Sequence, residues 1–348
     1  MAAPWQNQAT FDQIVNIKRQ ALCDVIKTLQ DKMLEEFDAK SSSLISESKN
    51  RYAAEMTREQ ILDKAIPFND FASHALTRVG NAIFKKEILT DVVAQMVAHS
   101  EKTLTKEKMA EAKKKFDLIC DYSKRKDMGE KEVGTYYDVE LCLYLMNKTF
   151  KKSALGAFEA LYLIQPQLKQ HLSAFTAPEI HLASLGGGPG SDLIGILSHT
   201  CEMLGADYKK RKFNLTVCDI QAKEWEQAAQ TPLTWGLYKH LNNNSALVGE
   251  KVNFLKIDFK DKSTLAEVPL EKQLLISCCW ALNESEFNPE FWTEVITRTN
   301  NSILVFVEGK EDQLIKIKEL GEQAGRSAVF DLYESPRRLI VLPKAPTA

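Results

Sequence analysis

Residues 180–192, Ile180-His-Leu-Ala-Ser-Leu-Gly-Gly-Gly-Pro-Gly-Ser-Asp192, decide the fold. Residues 180–185 are a short apolar run of strand type. Three glycines, a proline and a fourth glycine then break the chain, and a helical pattern begins at Ser191. Glycine lets a backbone turn sharply and lets a ligand approach where a Cβ would block it. The helix that follows offers unpaired N–H groups to a carboxylate or phosphate. Three loop patterns compete at this position. A Walker loop needs Lys after its last glycine, and Ser191 stands there. A dinucleotide fingerprint, G-x-G-x-x-G, puts Ser191 or Leu193 in its third glycine slot, so it fails in either register. The alternation Gly186, Gly188, Gly190 leaves G-x-G-x-G.

Outward from this loop, Val-, Ile- and Leu-rich runs alternate with helical stretches. They are 180–185, 213–219, 252–258, 273–279 and 302–308, followed by two closely spaced runs at 327–333 and 338–343. Strands separated by helices imply a parallel sheet covered on both faces. Only Glu334-Ser-Pro-Arg337 joins the last two runs, too little chain for a crossover, so this pair is predicted to be an antiparallel hairpin. The prediction is an α/β fold whose seven-stranded Rossmann-like sheet ends in that hairpin, over residues 173–348.

Residues 1–172 read instead as an α-helical domain. Phe11, Ile14, Val15, Leu22, Val25, Ile26, Leu29 and Met33 recur mostly at three- and four-residue steps, as one buried helical face requires. Ser41–Ser43, Pro67 and Gly80 punctuate this half. Helices are expected over about 104–126, 135–150 and 153–164.

Bulk composition excludes several classes. Hydrophobic residues make up 44% and charged residues 26%, an ordinary globular mix. A net charge of -2 leaves nucleic-acid binding to a local patch. The seven cysteines are odd in number and contain no C-x-x-C pair, which fits free thiols and no zinc or other metal site. No apolar stretch reaches membrane-helix length, and the first residues lack a leader pattern. The expected location is cytoplasmic, with the nucleus second.

Carboxylates recur where the sheet's strands end. Asp219 closes the second strand, beside Ile220; an acid there accepts both hydroxyls of a ribose, or simply caps the next helix. Asp258 and Phe259 follow the third strand, placed for a base edge and a ring face, or for a solvated turn. These ends share one crevice, where open α/β sheets bind ligands.

With the seven-strand order, these motifs resemble the class I S-adenosylmethionine-dependent methyltransferases over residues 178–343. The resemblance implies that Gly186, Gly187, Gly188 and Gly190 pack against the methionine part of the cofactor. It also implies that Asp219 and Ile220 meet its ribose and that Asp258 and Phe259 meet its adenine. The family usually carries an acid two residues before the first motif glycine, where this chain has Ser184. Asp192 is then either the replacement polar anchor or a helix cap. A narrower similarity, resting on Ser184–Gly190 and general layout, is to ribosomal-RNA methyltransferases.

Acceptor residues in this class usually follow the fourth strand. Here Ser277-Cys-Cys-Trp-Ala-Leu-Asn-Glu284 lacks the [DNS]-P-P-[FYW] motif of enzymes that methylate adenine or glutamine amino groups. Asn283 and Glu284 are the candidates for orienting an acceptor or taking its proton, or for capping a helix. Cys278 is a candidate for lining the cofactor pocket, and buried strand cysteine is the simpler reading of Cys278 and Cys279 than nucleophile. Tyr136 or Tyr137 is a candidate lid residue on a helix, with core packing the alternative. Lys102–Lys126 is the most basic stretch, but acids are interleaved, so a solvated face with i,i+4 pairs competes with RNA binding. RNA is the acceptor named first, ahead of a small molecule or a protein. A catalytically idle cofactor-binding scaffold and a nicotinamide enzyme are the alternatives from other classes.

Overall fold

In the computed structural model, seven strands line up in the order β3-β2-β1-β4-β5-β7-β6. The structure describes residues 88–120, 137–240, 252–282, 286–309, 311–331 and 336–344, all within one compact unit spanning residues 81–348. The strands are β1 (Glu179–Leu185), β2 (Lys212–Asp219), β3 (Asn253–Lys256), β4 (Gln273–Cys279), β5 (Ile303–Glu308), β6 (Ala328–Asp331) and β7 (Arg337–Val341). Each lies within a residue or two of its expected run, apart from a shorter β3 and β6. The first five pair in parallel. Strand β7 inserts between β5 and β6, antiparallel to both, so the terminal hairpin forms as its short link requires.

The described helices are α1 (Ile88–Thr103), α2 (Lys106–Cys120), α3 (Val139–Tyr162), α4 (Gln165–Ala174), α5 (Ser191–Leu204), α6 (Ala222–His240), α7 (Pro289–Arg298) and α8 (Asp312–Gln323). The two helices expected at 135–150 and 153–164 are one continuous α3. Nothing between Phe150 and Ser153 stops it, because neither glycine nor proline stands there. The amphipathic run at 11–33 lies outside the described residues. Helices α3 and α4, read from the sequence as part of the N-terminal half, pack against α5, and α3 also touches β5 and β7.

Side chains alternate across the sheet. Ala183, Leu185, Cys218, Ile276, Cys278, Leu304 and Phe306 face a core closed by α7 and α8. The aromatic centre of that core is Phe259, Phe291, Trp292 and Phe306, with ring centroids 5.1–5.7 Å apart. The opposite face carries α3 and α5. Gly195 lets these two helices cross closely: a Cβ there would stand 2.2 Å from the Ala154 carbonyl oxygen. Arg338 of β7 and Glu159 of α3 pair at 2.5 Å in the same layer. On the other side Arg326 donates to the carbonyls of Ile296, Ser302, Val341 and Leu342, tying α7, β5 and β7 together. No described helix is long and apolar enough to cross a membrane.

Candidate functional site

The sheet order reverses between β1 and β4, and a crevice opens at the carboxyl ends of strands where neighbouring connections diverge. The glycine loop lies there. Gly186, Gly188 and Gly190 all take positive φ, 65°, 51° and 78°, which L-residues with a Cβ adopt at a cost. The loop is bolted to β2: Gly186 N–H donates to the Cys218 carbonyl at 2.7 Å, and Gly188 N–H donates to Asp219 Oδ2 at 3.0 Å. A Cβ on Gly186 would lie 2.4 Å from that of Ala281, so the loop after β4 leans directly on the loop after β1.

Asp219 is half-buried. Its Oδ1 accepts from Gln221 N–H at 2.9 Å. Burial raises its pKa, while the N–H groups of Gln221 and Gly188 and the facing Trp225 indole favour the charged form. A carboxylate offers about four acceptor positions; the Gln221 and Gly188 N–H groups and the Trp225 indole take three, which leaves room for a further donor. Ile220 beside it is 50% exposed, an apolar surface at the crevice edge.

Asp192 enters the site from α5. Its Oδ1 accepts from Ser184 Oγ at 2.6 Å and from Leu193 N–H at 2.9 Å. Ser277 stands in register beside Ser184 on β4, and the Cys279 thiol is also against the carboxylate. The remaining oxygen, Oδ2, is buried without a hydrogen-bond partner. Burial raises the Asp192 pKa to about 6, against the lowering effect of Ser184, Ser277 and Leu193. A buried acid thus lies one hydrogen bond from Ser184. A Cβ on Gly187 would collide with Ser184 Oγ at 1.9 Å and approach Asp192 Oδ1 to 3.3 Å, so glycine is also required for this pair to sit under the loop.

The remaining candidates fall in different places. Asp258 adjoins the site, since Ile257 N–H donates to the Asp219 carbonyl at 3.2 Å. Its Oδ1 accepts from Lys260 N–H at 2.9 Å, so one oxygen shapes a turn. Phe259, expected on a ligand's ring face, is turned instead into the aromatic core; only its edge reaches Gly186. The apolar surroundings of Phe291 and Trp292 outweigh the crevice. Cys278 is buried in the same core, and burial holds both Cys278 and Cys279 well above the usual thiol pKa, with Glu308 and Asp192 adding to it. Neither is therefore a thiolate nucleophile.

Tyr137 is not on a helix. It precedes Asp138, the N-cap of α3, whose Oδ1 accepts from Leu141 N–H at 2.9 Å. The first turn of α3 nevertheless lies by the crevice, because Cys142 feels the charges of Asp219 and Glu224. Tyr136, Asn283 and Glu284 lie outside the described residues. Half of the described lysines of the basic stretch are paired: Lys108 with Glu140 and Lys113 with Asp117, at 2.8 and 2.7 Å, and Lys115 with Asp138. Trp225, Ala281 and Glu308 belong to the site or its support and were not singled out from the sequence. Only Glu308, as a strand-end acid, carried a readable signal.

No family model and no curated protein matches the chain. Solved structures similar to it include an O-methyltransferase family protein from Burkholderia thailandensis, at 9% identity and TM-score 0.36, covering 93% of this chain and 99% of that one. Another is a ribosomal protein L11 methylase from Lactobacillus delbrueckii subsp. bulgaricus, at 18% identity and TM-score 0.30, covering 52% and 79%. A third is a precorrin-6y C5,15-methyltransferase from Geobacter metallireducens GS-15, at 11% identity and TM-score 0.31, covering 53% and 89%. The strand order, with β7 inserted antiparallel, makes the fold a seven-stranded Rossmann-like α/β sheet.

Proposed function

We propose that this chain is an S-adenosylmethionine-dependent methyltransferase. The observation that carries the reading is the Asp219–Gly188 hydrogen bond. It joins an acid suited to a ribose to a glycine cradle at the sheet's switch point. The residues fit the cofactor in two further ways. The cradle sits where side chains would collide, and beneath it lies a buried carboxylate with one oxygen unpartnered, suited to a cationic ligand.

When bound, the cofactor supplies a methyl group already activated on a sulfonium, so transfer needs positioning and exclusion of water more than covalent help. In this reading Asp219 accepts the ribose hydroxyls, Ile220 covers an apolar face, and Asp258 offers its free oxygen to the base. Asp192 holds the floor of the loop and contributes negative charge beside the methionine end. Tyr137, just before the N-cap of α3, is proposed to border the entrance. Asn283 and Glu284 follow the β4 loop and are proposed to orient the acceptor. RNA is proposed as the acceptor, on the similarity of Ser184–Gly190 to ribosomal-RNA enzymes and on the exposed Lys102, Lys106 and Lys114. The pairing of Lys108, Lys113 and Lys115 favours a second reading, a small-molecule acceptor.

The test is incubation with methyl-labelled cofactor and fractionated cell extract. Label that nuclease releases supports RNA. Label in a nuclease-resistant low-mass pool supports the second reading. Cofactor binding with no label in any fraction overturns both in favour of an idle binding protein.

A further inference from the structure

Beyond the cofactor crevice, the end of β5 grips the loop after β4. Trp280 has φ 62°, the one described non-glycine residue at positive φ, a conformation costing about 1–2 kcal/mol. Such strain persists only where surrounding contacts enforce it. Here the contacts are specific. Trp280 N–H donates to the Val307 carbonyl at 2.8 Å. Two residues on, Leu282 N–H donates to Glu308 Oε1 at 2.7 Å, and this bond is buried. Gly309 leaves room for the Trp280 ring, which comes within 3.3 Å of where its Cβ would be. Arg337 holds the Gly309 carbonyl at 2.7 Å and pairs with Glu311 at 3.0 Å, so the β5 end is itself anchored.

Glu308 is 1% exposed. A charged side chain at that depth is costly unless its hydrogen bonds repay it. A carboxylate accepting from backbone N–H makes a bond about twice as strong as a neutral one. The loop it holds is the one whose Ala281 leans on Gly186 and whose next residues are Asn283 and Glu284. We infer that Glu308 is a positioning residue: through Leu282 N–H it fixes the acceptor-side loop against the glycine loop and so sets the spacing between cofactor and acceptor. The inference rests on the proposed methyltransferase reading for its purpose, and on the β4–β5 contacts alone for its geometry.

The test compares Glu308→Gln and Glu308→Met with the natural chain. Gln keeps an acceptor without charge, and Met keeps the volume without an acceptor. Hydrogen exchange of the peptide containing Trp280–Leu282 is measured on the cofactor-free protein, and S-adenosylmethionine affinity is measured calorimetrically in parallel. The expected exchange rises about threefold in Gln and at least thirtyfold in Met, while peptides of α5 stay protected and affinity falls in the same order. Equal exchange in all three chains, or Gln as loose as Met, overturns the inference. If Met does not fold, the Gln comparison stands alone, and unchanged exchange there is equally contrary. Absence of cofactor binding in the natural chain, with the exchange ranking intact, sinks the methyltransferase reading but leaves the grip of Glu308 on the loop.

Discussion

Ser184 Oγ and Asp192 Oδ1 share a 2.6 Å hydrogen bond in a fully buried layer between β1 and α5. A carboxylate kept there at neutral pH is poor for stability and good for binding a cation. Asp192→Asn preserves the acceptor toward Ser184 and Leu193 but removes the charge. It is expected to stabilise the cofactor-free protein by about 1–3 kcal/mol at pH 8, by removing the cost of the buried charge, and to weaken S-adenosylmethionine about tenfold. Thermal denaturation and calorimetry read the two effects; a less stable Asn variant contradicts the assignment.

The same residue predicts a pH dependence. Burial raises its pKa to about 6 in the folded chain, from an ordinary aspartate value of 3.8, so the folded state holds the proton more tightly. This contribution to stability is complete below about pH 4, falls as pH rises to about 6, and is flat above. The change is roughly 3 kcal/mol at 1.36 kcal/mol per unit. Surface carboxylates such as Glu271 and Glu179, whose pKa values are lowered by Arg298 and by Lys212, slope the other way. The stability difference between the natural chain and Asp192→Asn, measured by denaturant titration at several pH values, therefore isolates Asp192. A difference that does not vary between pH 4 and pH 7 is the contrary result.

Gly195→Ala should destabilise the fold by about 2–3 kcal/mol, because the new methyl meets the Ala154 backbone carbonyl rather than a yielding side chain. Urea midpoints report it. A loss under 0.5 kcal/mol contradicts the close α3–α5 crossing.

Arg338→Met alone removes the partner of the partly exposed Glu159 and should cost about 1–3 kcal/mol. Pairing it with Glu159→Leu should restore most of that loss. A double variant as unstable as the single one argues against the 2.5 Å pair.

The strands were legible because buried parallel strands read as short Val-, Ile- and Leu-rich runs, and the sequence marks their breaks. The hairpin followed from four linking residues. Helix α3 runs through the gap between the two expected helices, since no breaker stands at Lys151–Ser153. In the site, Gly186–Gly190 and Asp219 were legible as strand-end positions. The Ser184–Asp192 bond was open as one of two readings, since only the turn geometry brings the eight-residue separation to contact. Phe259 was misplaced because a sequence shows that an aromatic follows a strand, not which way it turns. Glu308 is readable as a strand-end acid, but its partner is a backbone N–H, which no sequence pattern displays.

Calorimetric titration of S-adenosylmethionine into the natural chain and into Asp219→Ala tests the central claim most directly. The account predicts one cofactor per chain for the natural protein and an affinity at least a hundredfold weaker for the variant, which loses charge-assisted bonds worth about 1.5–3 kcal/mol each. No binding by the natural chain, or equal binding by both, contradicts it.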